Sequence, residues 1–243
     1  MNTRLQTRAL RREYPGVVAL AGLDLDVAAG EVVGLLGPNG AGKTTALRMM
    51  AGVLQPTAGT ATVCGYDTVR EPMQVKAALG FLSGDTRLYR RLTPRELLRY
   101  FGRLHSMLPH ACEARSNRLI EQLGMAEFAD RRCGGLSAGQ QQKANIARTL
   151  LHDPPVLVFD EPTNALDIIT GRFILETIRA AREMGRAILF STHNMGEAEY
   201  LCDRLVLLHR GQVIARGTLD NILTRTGRDN LTDAFLAMVE EQA

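Results

Sequence analysis

An excess of charge of either sign is nearly missing from this sequence. Lys and Arg number 29 against 26 Asp and Glu, a formal net charge of +3 over 243 residues. So small an excess gives no argument for a nucleic-acid partner, and any basic patch must be local. Long apolar runs are missing too. None approaches the roughly 18 to 20 residues needed to span a bilayer, and pieces such as Val156–Phe159 and Leu205–Leu208 are strand-sized. The four cysteines, Cys64, Cys112, Cys133 and Cys202, form no C-x-x-C pair. They read as small buried hydrophobes of a reducing compartment, not as disulfides or zinc ligands. No internal repeat and no low-complexity linker interrupts the chain. The first twelve residues hold Arg4, Arg8, Arg11 and Arg12 and no acid. A secretory signal would continue with about 7 to 15 apolar residues. None follow, so the segment is expected to be an edge strand.

What is present is ordinary soluble composition, 45% hydrophobic and 23% charged, in a length that suits one domain with room for a subdomain. Glu31–Leu36 is a short apolar run that ends in a glycine-rich loop, and helical spacing follows from Lys43 to Met50, with Gly52 where a helix stop belongs. Val156–Phe159 and Ala187–Phe190 are continuous apolar runs, which suit strands of a parallel sheet covered on both faces. Val206–Ala215 breaks at Arg210-Gly211 and reads as a hairpin. Between Thr93 and Leu151 the spacing turns helical. Thr93-Pro94-Arg95-Glu96 and Ser137-Ala138-Gly139-Gln140 are capping boxes that open helices toward Met107 and Leu151.

The strongest chemical signal is Gly37-Pro38-Asn39-Gly40-Ala41-Gly42-Lys43-Thr44. It fits G-x-x-x-x-G-K-[ST] and stands between an expected strand and an expected helix, the context of a phosphate-binding loop. The glycines let the backbone wrap round phosphate oxygens, and the helix N-terminus adds partial positive charge. Lys43 reaches the β- and γ-phosphates and the Thr44 hydroxyl ligates Mg²⁺; Thr45, next in line, joins the nucleotide-binding set. The second signal is Val156-Leu157-Val158-Phe159-Asp160-Glu161, a buried strand ending in two carboxylates. Asp160 is placed to face the metal, directly or through water, and Glu161 to act as catalytic base on the attacking water.

From here the sequence resembles the ATP-binding cassette (ABC) ATPases. Leu136-Ser137-Ala138-Gly139-Gln140 is similar to their L-S-G-G-Q signature with alanine for one glycine, just upstream of the carboxylate strand. Asn164-Ala165-Leu166-Asp167 resembles their D-loop, and Ser191-Thr192-His193 their switch histidine. Tyr14 falls where an aromatic stacks on adenine. The resemblance covers essentially the whole chain. It implies an α/β fold: a P-loop NTPase (RecA-like) core with an N-terminal antiparallel β subdomain and an inserted α-helical subdomain. On this division residues 1–83 and 152–243 form the core with the β subdomain, and 84–151 the helical signature subdomain. ATP and Mg²⁺ are the implied cofactors. Ser137, Gly139, Gln140 and Asp167 would bind nucleotide, and His193 would sense the γ-phosphate in catalysis. A helix N-terminus at Ser137 suits an anion although the chain already has a phosphate loop. In the family a head-to-tail dimer reconciles the two.

One departure stands out. After Leu79–Leu82 the family places a glutamine that contacts Mg²⁺ and the attacking water, whereas here the run is Ser83-Gly84-Asp85-Thr86. Asp85 or Ser83 takes over the metal contact, or the contact is absent. The flanking runs Leu88-Tyr89, Leu92–Glu96 and Ser191–Asp203 resemble ATPases of ABC-2-type exporters, those for sodium extrusion among them. The implied function is ATP hydrolysis that powers export through separate membrane permease subunits. The ATPase would pair with a second subunit, a homodimer by expectation, and sit in the cytoplasm, peripheral on the inner face of the cell membrane, with no nucleic-acid partner. The arginines of Leu88–Phe101 are expected to line the groove where a permease helix docks. The alternative is a non-transport ABC ATPase such as one serving a cofactor-assembly scaffold. A GTPase-like switch lacks the guanine-reading N-K-x-D motif.

Overall fold

The computed structural model describes residues 2–241. Strands β1 (Thr3–Tyr14) and β2 (Val17–Ala28) pair antiparallel across Pro15-Gly16. β3 (Val32–Leu36) runs into α1 (Lys43–Met50), followed by β4 (Ala58–Val63), β5 (Tyr66–Asp67), α2 (Pro72–Ala78) and β6 (Leu79–Leu82). Three helices come next, α3 (Pro94–Leu104), α4 (Pro109–Gln122) and α5 (Ala138–Leu150). The chain then alternates β7 (Val156–Asp160), α6 (Ile168–Glu183), β8 (Ala187–Thr192), α7 (Met195–Leu201) and β9 (Arg204–His209). It closes with β10 (Gln212–Gly217), α8 (Leu219–Thr226) and α9 (Leu231–Glu240).

Two sheets result. A four-stranded antiparallel sheet has the order β2-β1-β4-β5, and a six-stranded sheet the order β10-β9-β3-β8-β7-β6. In the larger one β9, β3, β8, β7 and β6 are parallel, and β10 is joined antiparallel by the Arg210-Gly211 hairpin. The apolar runs behave as covered strands should. Leu157 and Phe159 of β7 face a core shared with α3–α6, while Val156 and Val158 face the core under α1 and the antiparallel sheet. α3, α4 and α5 all lie between β6 and β7 in sequence, so the helical insertion interrupts one crossover of the parallel sheet. Both capping boxes form, with the Thr93 and Ser137 hydroxyls each accepting from the amide three residues on.

The arginine-rich N-terminus is not an edge strand. β1 lies between β2 and β4. Its alternate residues Leu5, Thr7 and Leu10 are fully buried, which requires cover and neighbours on both sides. An irregularity between Thr7 and Leu10, where Ala9 takes φ 43°, shifts the alternation by one residue. Arg8, Arg11 and Arg12 therefore decorate a central strand outside its buried positions, and the unshielded edge is elsewhere. α3 ends at Leu104, a turn short of Met107.

Candidate active site

β3 is buried along its whole length and delivers Gly37 at its C-terminal end. The loop then turns through Gly40 and Gly42 into α1. Gly42 has φ +102°, and a Cβ there would stand 2.5 Å from the Ala19 carbonyl oxygen, so glycine is required on both counts. The hairpin between β9 and β10 braces the loop: the Gly211 amide donates to Ala41 O, and the Ala21 amide of β2 donates to Gly211 O. Between β2, the loop and this hairpin lies a cavity of about 380 Å³, lined by Val17 to Ala19, Asn39 to Thr45, Glu161, Arg210 and Gly211. Lys43 is only 4% exposed. Its ammonium donates to Gly37 O at 2.6 Å and Pro38 O at 3.1 Å, and stands 3.2 Å from Glu161 Oε1.

The carboxylates come from β7, whose last residue, Asp160, is paired in register with Ser191 of β8. Asp160 is buried, and its Oδ1 accepts from Ser191 Oγ at 2.7 Å. Glu161 turns out of the strand with φ +47°, a conformation an L-residue adopts only where its surroundings hold it. Its amide donates to Ser191 O and Ser191 Oγ. The Glu161 side chain is thereby set between two cationic or cation-forming groups, Lys43 at 3.2 Å and His193 Nδ1 at 3.1 Å. His193 is presented by a fixed corner. The Thr192 hydroxyl donates to Glu197 Oε2 at 2.8 Å and accepts from the Asn194 amide at 3.0 Å.

The N-terminus of α5 lines a different cavity, of about 430 Å³, in which Ser137, Gly139 and Gln140 meet Asp167. The Ser137 hydroxyl is exposed and accepts from Gln140 N, while Gln140 Oε1 accepts from Ser137 N. Asp167 caps α6: the Thr170 amide and then the Thr170 hydroxyl donate to it and hold its carboxyl below the usual carboxylate range. The two cavities share no lining residue. A third cavity, of about 490 Å³, touches both, sharing Glu161 with the first and Asp167 with the second.

The model of the ABC transporter family matches residues 20–164. This chain is an ABC transporter ATPase domain. It is 44% identical over 222 residues to the ABC transporter ATP-binding protein NatA of Bacillus subtilis, covering 91% of this chain and 90% of that protein. It is 40% identical to the Nod factor export ATP-binding protein I of Paraburkholderia xenovorans, over 86% of this chain and 68% of that one. Among solved structures, the ATP-binding subunit of an ABC transporter superposes with TM-score 0.89 at 29% identity, covering 97% of this chain and 99% of the other. A dimeric ATP-binding cassette bound to ADP and Pi superposes with TM-score 0.81 at 26% identity, covering 88% and 98%.

As an ABC ATPase the chain gathers Lys43, Thr44, Thr45, Asp160, Glu161 and His193 at one end of the parallel sheet. It leaves five expected residues elsewhere. Ser137, Gly139, Gln140 and Asp167 stand in the second cavity. Tyr14 is outside the phosphate-loop cavity, paired with Val17 at its edge, and the Arg12 guanidinium lies 4.5 Å over its ring. The metal reading of Asp85 does not hold: its carboxylate is ion-paired with Arg48 of α1 at 2.5 Å and its side chain is 83% exposed. The expected position is Gly84 itself, where a Cβ would stand 3.4 Å from Asp160 O and 4.0 Å from Asp160 Oδ2. Ser191, Glu197 and Arg210 also belong to the site, though no local motif marks their roles. Ser191 was in view, since it opens Ser-Thr-His, but only strand pairing puts it against Asp160. Arg210 read as a turn residue and nothing else.

Proposed function

We propose that this ABC ATPase works as a pair, each ATP lying between the phosphate loop of one subunit and the Ser137 helix of the other, and that it drives export through a separate membrane permease. The observation that carries the pairing is that one chain presents two anion-binding helix N-termini, α1 behind the phosphate loop and α5 at Ser137, each lining its own cavity. It is supported by the dimeric cassette that superposes on this chain. Export is supported by the relative whose name states it. No described helix is long and apolar enough to cross a membrane, so this reading assigns the spans to a partner and places the ATPase peripherally on the cytoplasmic face.

The donor set fits Mg²⁺. The second oxygen of buried Asp160 and the Thr44 hydroxyl make no hydrogen bond among the described residues, and both are hard oxygen donors. Thr44 and Asp160 would hold the ion, which supplies charge neutralisation on the β- and γ-phosphate oxygens when bound. The chain's own groups do the rest. Lys43 exchanges its contacts with Gly37 O, Pro38 O and Glu161 for phosphate oxygens. Glu161, fixed by its Ser191 contacts, then accepts a proton from the attacking water. His193 stays on the other side of Glu161 and couples the γ-phosphate position to the base.

A groove of about 530 Å³ between α2, β6, α3 and α5 suits the permease contact. Met73, Phe101, Leu104 and Arg148 line it, and Met73 and Leu104 are more than half exposed. Two measurements test this reading. The Glu161→Gln protein should bind ATP and accumulate as a dimer with ATP but not with ADP, with turnover lowered at least a hundredfold. The tagged native chain, extracted from detergent-solubilised membranes, should bring down a polypeptide with multiple apolar spans. A Glu161→Gln enzyme with normal turnover, or recovery of the chain only with a soluble scaffold, would overturn it.

A further inference from the structure

Of the arginines in Leu88–Phe101, Arg95 and Arg99 do not line the groove between α2, β6, α3 and α5. Phe101 faces that groove, but Arg95, Arg99 and Arg103, spaced i, i+4, i+8 along α3, turn to the opposite side. There they line a separate cavity of about 420 Å³ between α3 and α4, floored by buried Cys112 and Ser116 and walled by Met107 and Pro109. Gly102 lets the two helices close on each other at one end, since a Cβ there would stand 2.2 Å from Cys112 Sγ.

The charge in this cavity is not balanced by the protein. Arg95 is committed: its Nε donates to Asp130 at 2.9 Å and its Nη1 to Asn117 at 2.6 Å, which fixes the guanidinium as a back wall. Arg99 and Arg103 make no ion pair among the described residues, although like charges at i, i+4 destabilise a helix. Glu113 is the one carboxylate lining the cavity. With Arg95 neutralised by Asp130, two arginines against Glu113 leave one uncompensated positive charge. The surroundings reinforce it, because residues 84–151 carry twelve Lys and Arg against six Asp and Glu, in a chain whose total is only +3. Next to Pro109 of the cavity wall, Leu108 is 63% exposed.

We propose that the α3–α4 cavity binds the phosphodiester of a glycerophospholipid headgroup of net negative charge, as in phosphatidylglycerol. Its single negative charge matches the uncompensated positive one. Two forked guanidiniums are suited to its oxygens by bidentate hydrogen bonds, and exposed Leu108 and Met107 offer an apolar edge to the glycerol and acyl side. This site is independent of the nucleotide and of the permease groove.

The test uses the purified full-length chain. Sedimentation with phosphatidylcholine vesicles, with and without phosphatidylglycerol, reads the lipid-borne anion. Thermal unfolding with glycerophosphoglycerol reads the same anion free in solution. Native protein should partition onto the phosphatidylglycerol vesicles and not onto phosphatidylcholine alone. Arg99→Gln with Arg103→Gln should lower partition about 30-fold, taking about one screened contact per arginine. The decisive variant is Arg99→Lys with Arg103→Lys, which keeps the charge and loses the forks. The proposal expects about a tenfold loss of partition, with ATP binding intact as the control for folding. If only the free headgroup binds, and the lysine variant abolishes that, the phosphodiester site stands and its ligand is soluble. Equal behaviour of the lysine variant and native protein in both assays means diffuse surface charge and overturns the site.

Discussion

Acidification should loosen this domain through one histidine. His152 follows α5, and its ring stacks on His105 with centroids 3.7 Å apart and planes 7° from parallel. Its Nε2 is 3.2 Å from Leu79 O and therefore carries the proton, while its Nδ1 is buried with no partner. A second proton would have to enter at that unpartnered nitrogen. Burial first, and the neighbouring His105 next, push the His152 pKa from 6.5 down to about 4, against smaller opposing contributions from Leu79 O and Asp153. Arg148 lines the same groove and adds no favour to a cation there. The folded pKa is the lower one, so above pH 6.5 neither state is charged and His152 costs nothing. As pH falls below 6.5 the unfolded chain takes up a proton that the folded chain refuses, and stability is lost until pH 4. At about 1.36 kcal/mol per tenfold in proton affinity, a fully enclosed ring would lose about 2 kcal/mol by pH 5. This ring is partly open to the groove, and about 1 kcal/mol is expected. Urea denaturation of native protein and His152→Gln at steps from pH 7.5 to 5 measures it, because glutamine keeps a donor for Leu79 O and does not titrate. The stability difference should shift by about 1 kcal/mol in favour of the variant over that range. Two parallel stability curves would refute the reasoning.

Lys43→Ala removes the buried ammonium from the loop cavity, and ATP affinity should fall about 10- to 100-fold in a titration calorimeter, the worth of a hydrogen bond to a charged group. Asp85→Asn breaks only an exposed pair with Arg48, so the Mg²⁺ concentration for half-maximal ATPase activity should not change and the melting temperature should move by no more than a degree or two. Gly42→Ala forces a Cβ into the Ala19 carbonyl at a φ that alanine avoids. It should destabilise the domain by about 2 kcal/mol or more and abolish nucleotide binding, read by thermal unfolding with and without ATP.

The sequence was most informative where chemistry and backbone geometry coincide. A phosphate loop needs glycines at fixed offsets and a strand and helix on either side, and each demand is local. The covered strands announced themselves because both faces of β7 and β8 are apolar, and the capping boxes because each is satisfied within four residues. What stayed hidden was decided across the fold. The arginines of β1 looked like edge protection because a bulge near Ala9, invisible in composition, re-phases the strand and lets Leu10 continue the buried row. Spacing puts the α3 arginines on one helix face, but that this face meets α4 was settled only by the fold.

Gly84 and Asp85 show the limit most sharply. Both stand in the loop after β6, and only Asp85 bears a side chain able to meet a metal. Yet the backbone aims position 84 at Asp160 and leaves position 85 to Arg48, thirty-seven residues earlier in the chain. The carboxylate is thus on the wrong residue for the metal, and the residue in the right place has no side chain. The geometry around Asp160 nonetheless leaves room there: at 3.4 Å, a Cβ on residue 84 would make an ordinary contact with Asp160 O. Position 84 therefore offers no side-chain contact although there is space for one. Coupling between this loop and the nucleotide is left to Ser83, to the loop backbone and to Asp160, which Ser191 already holds in place.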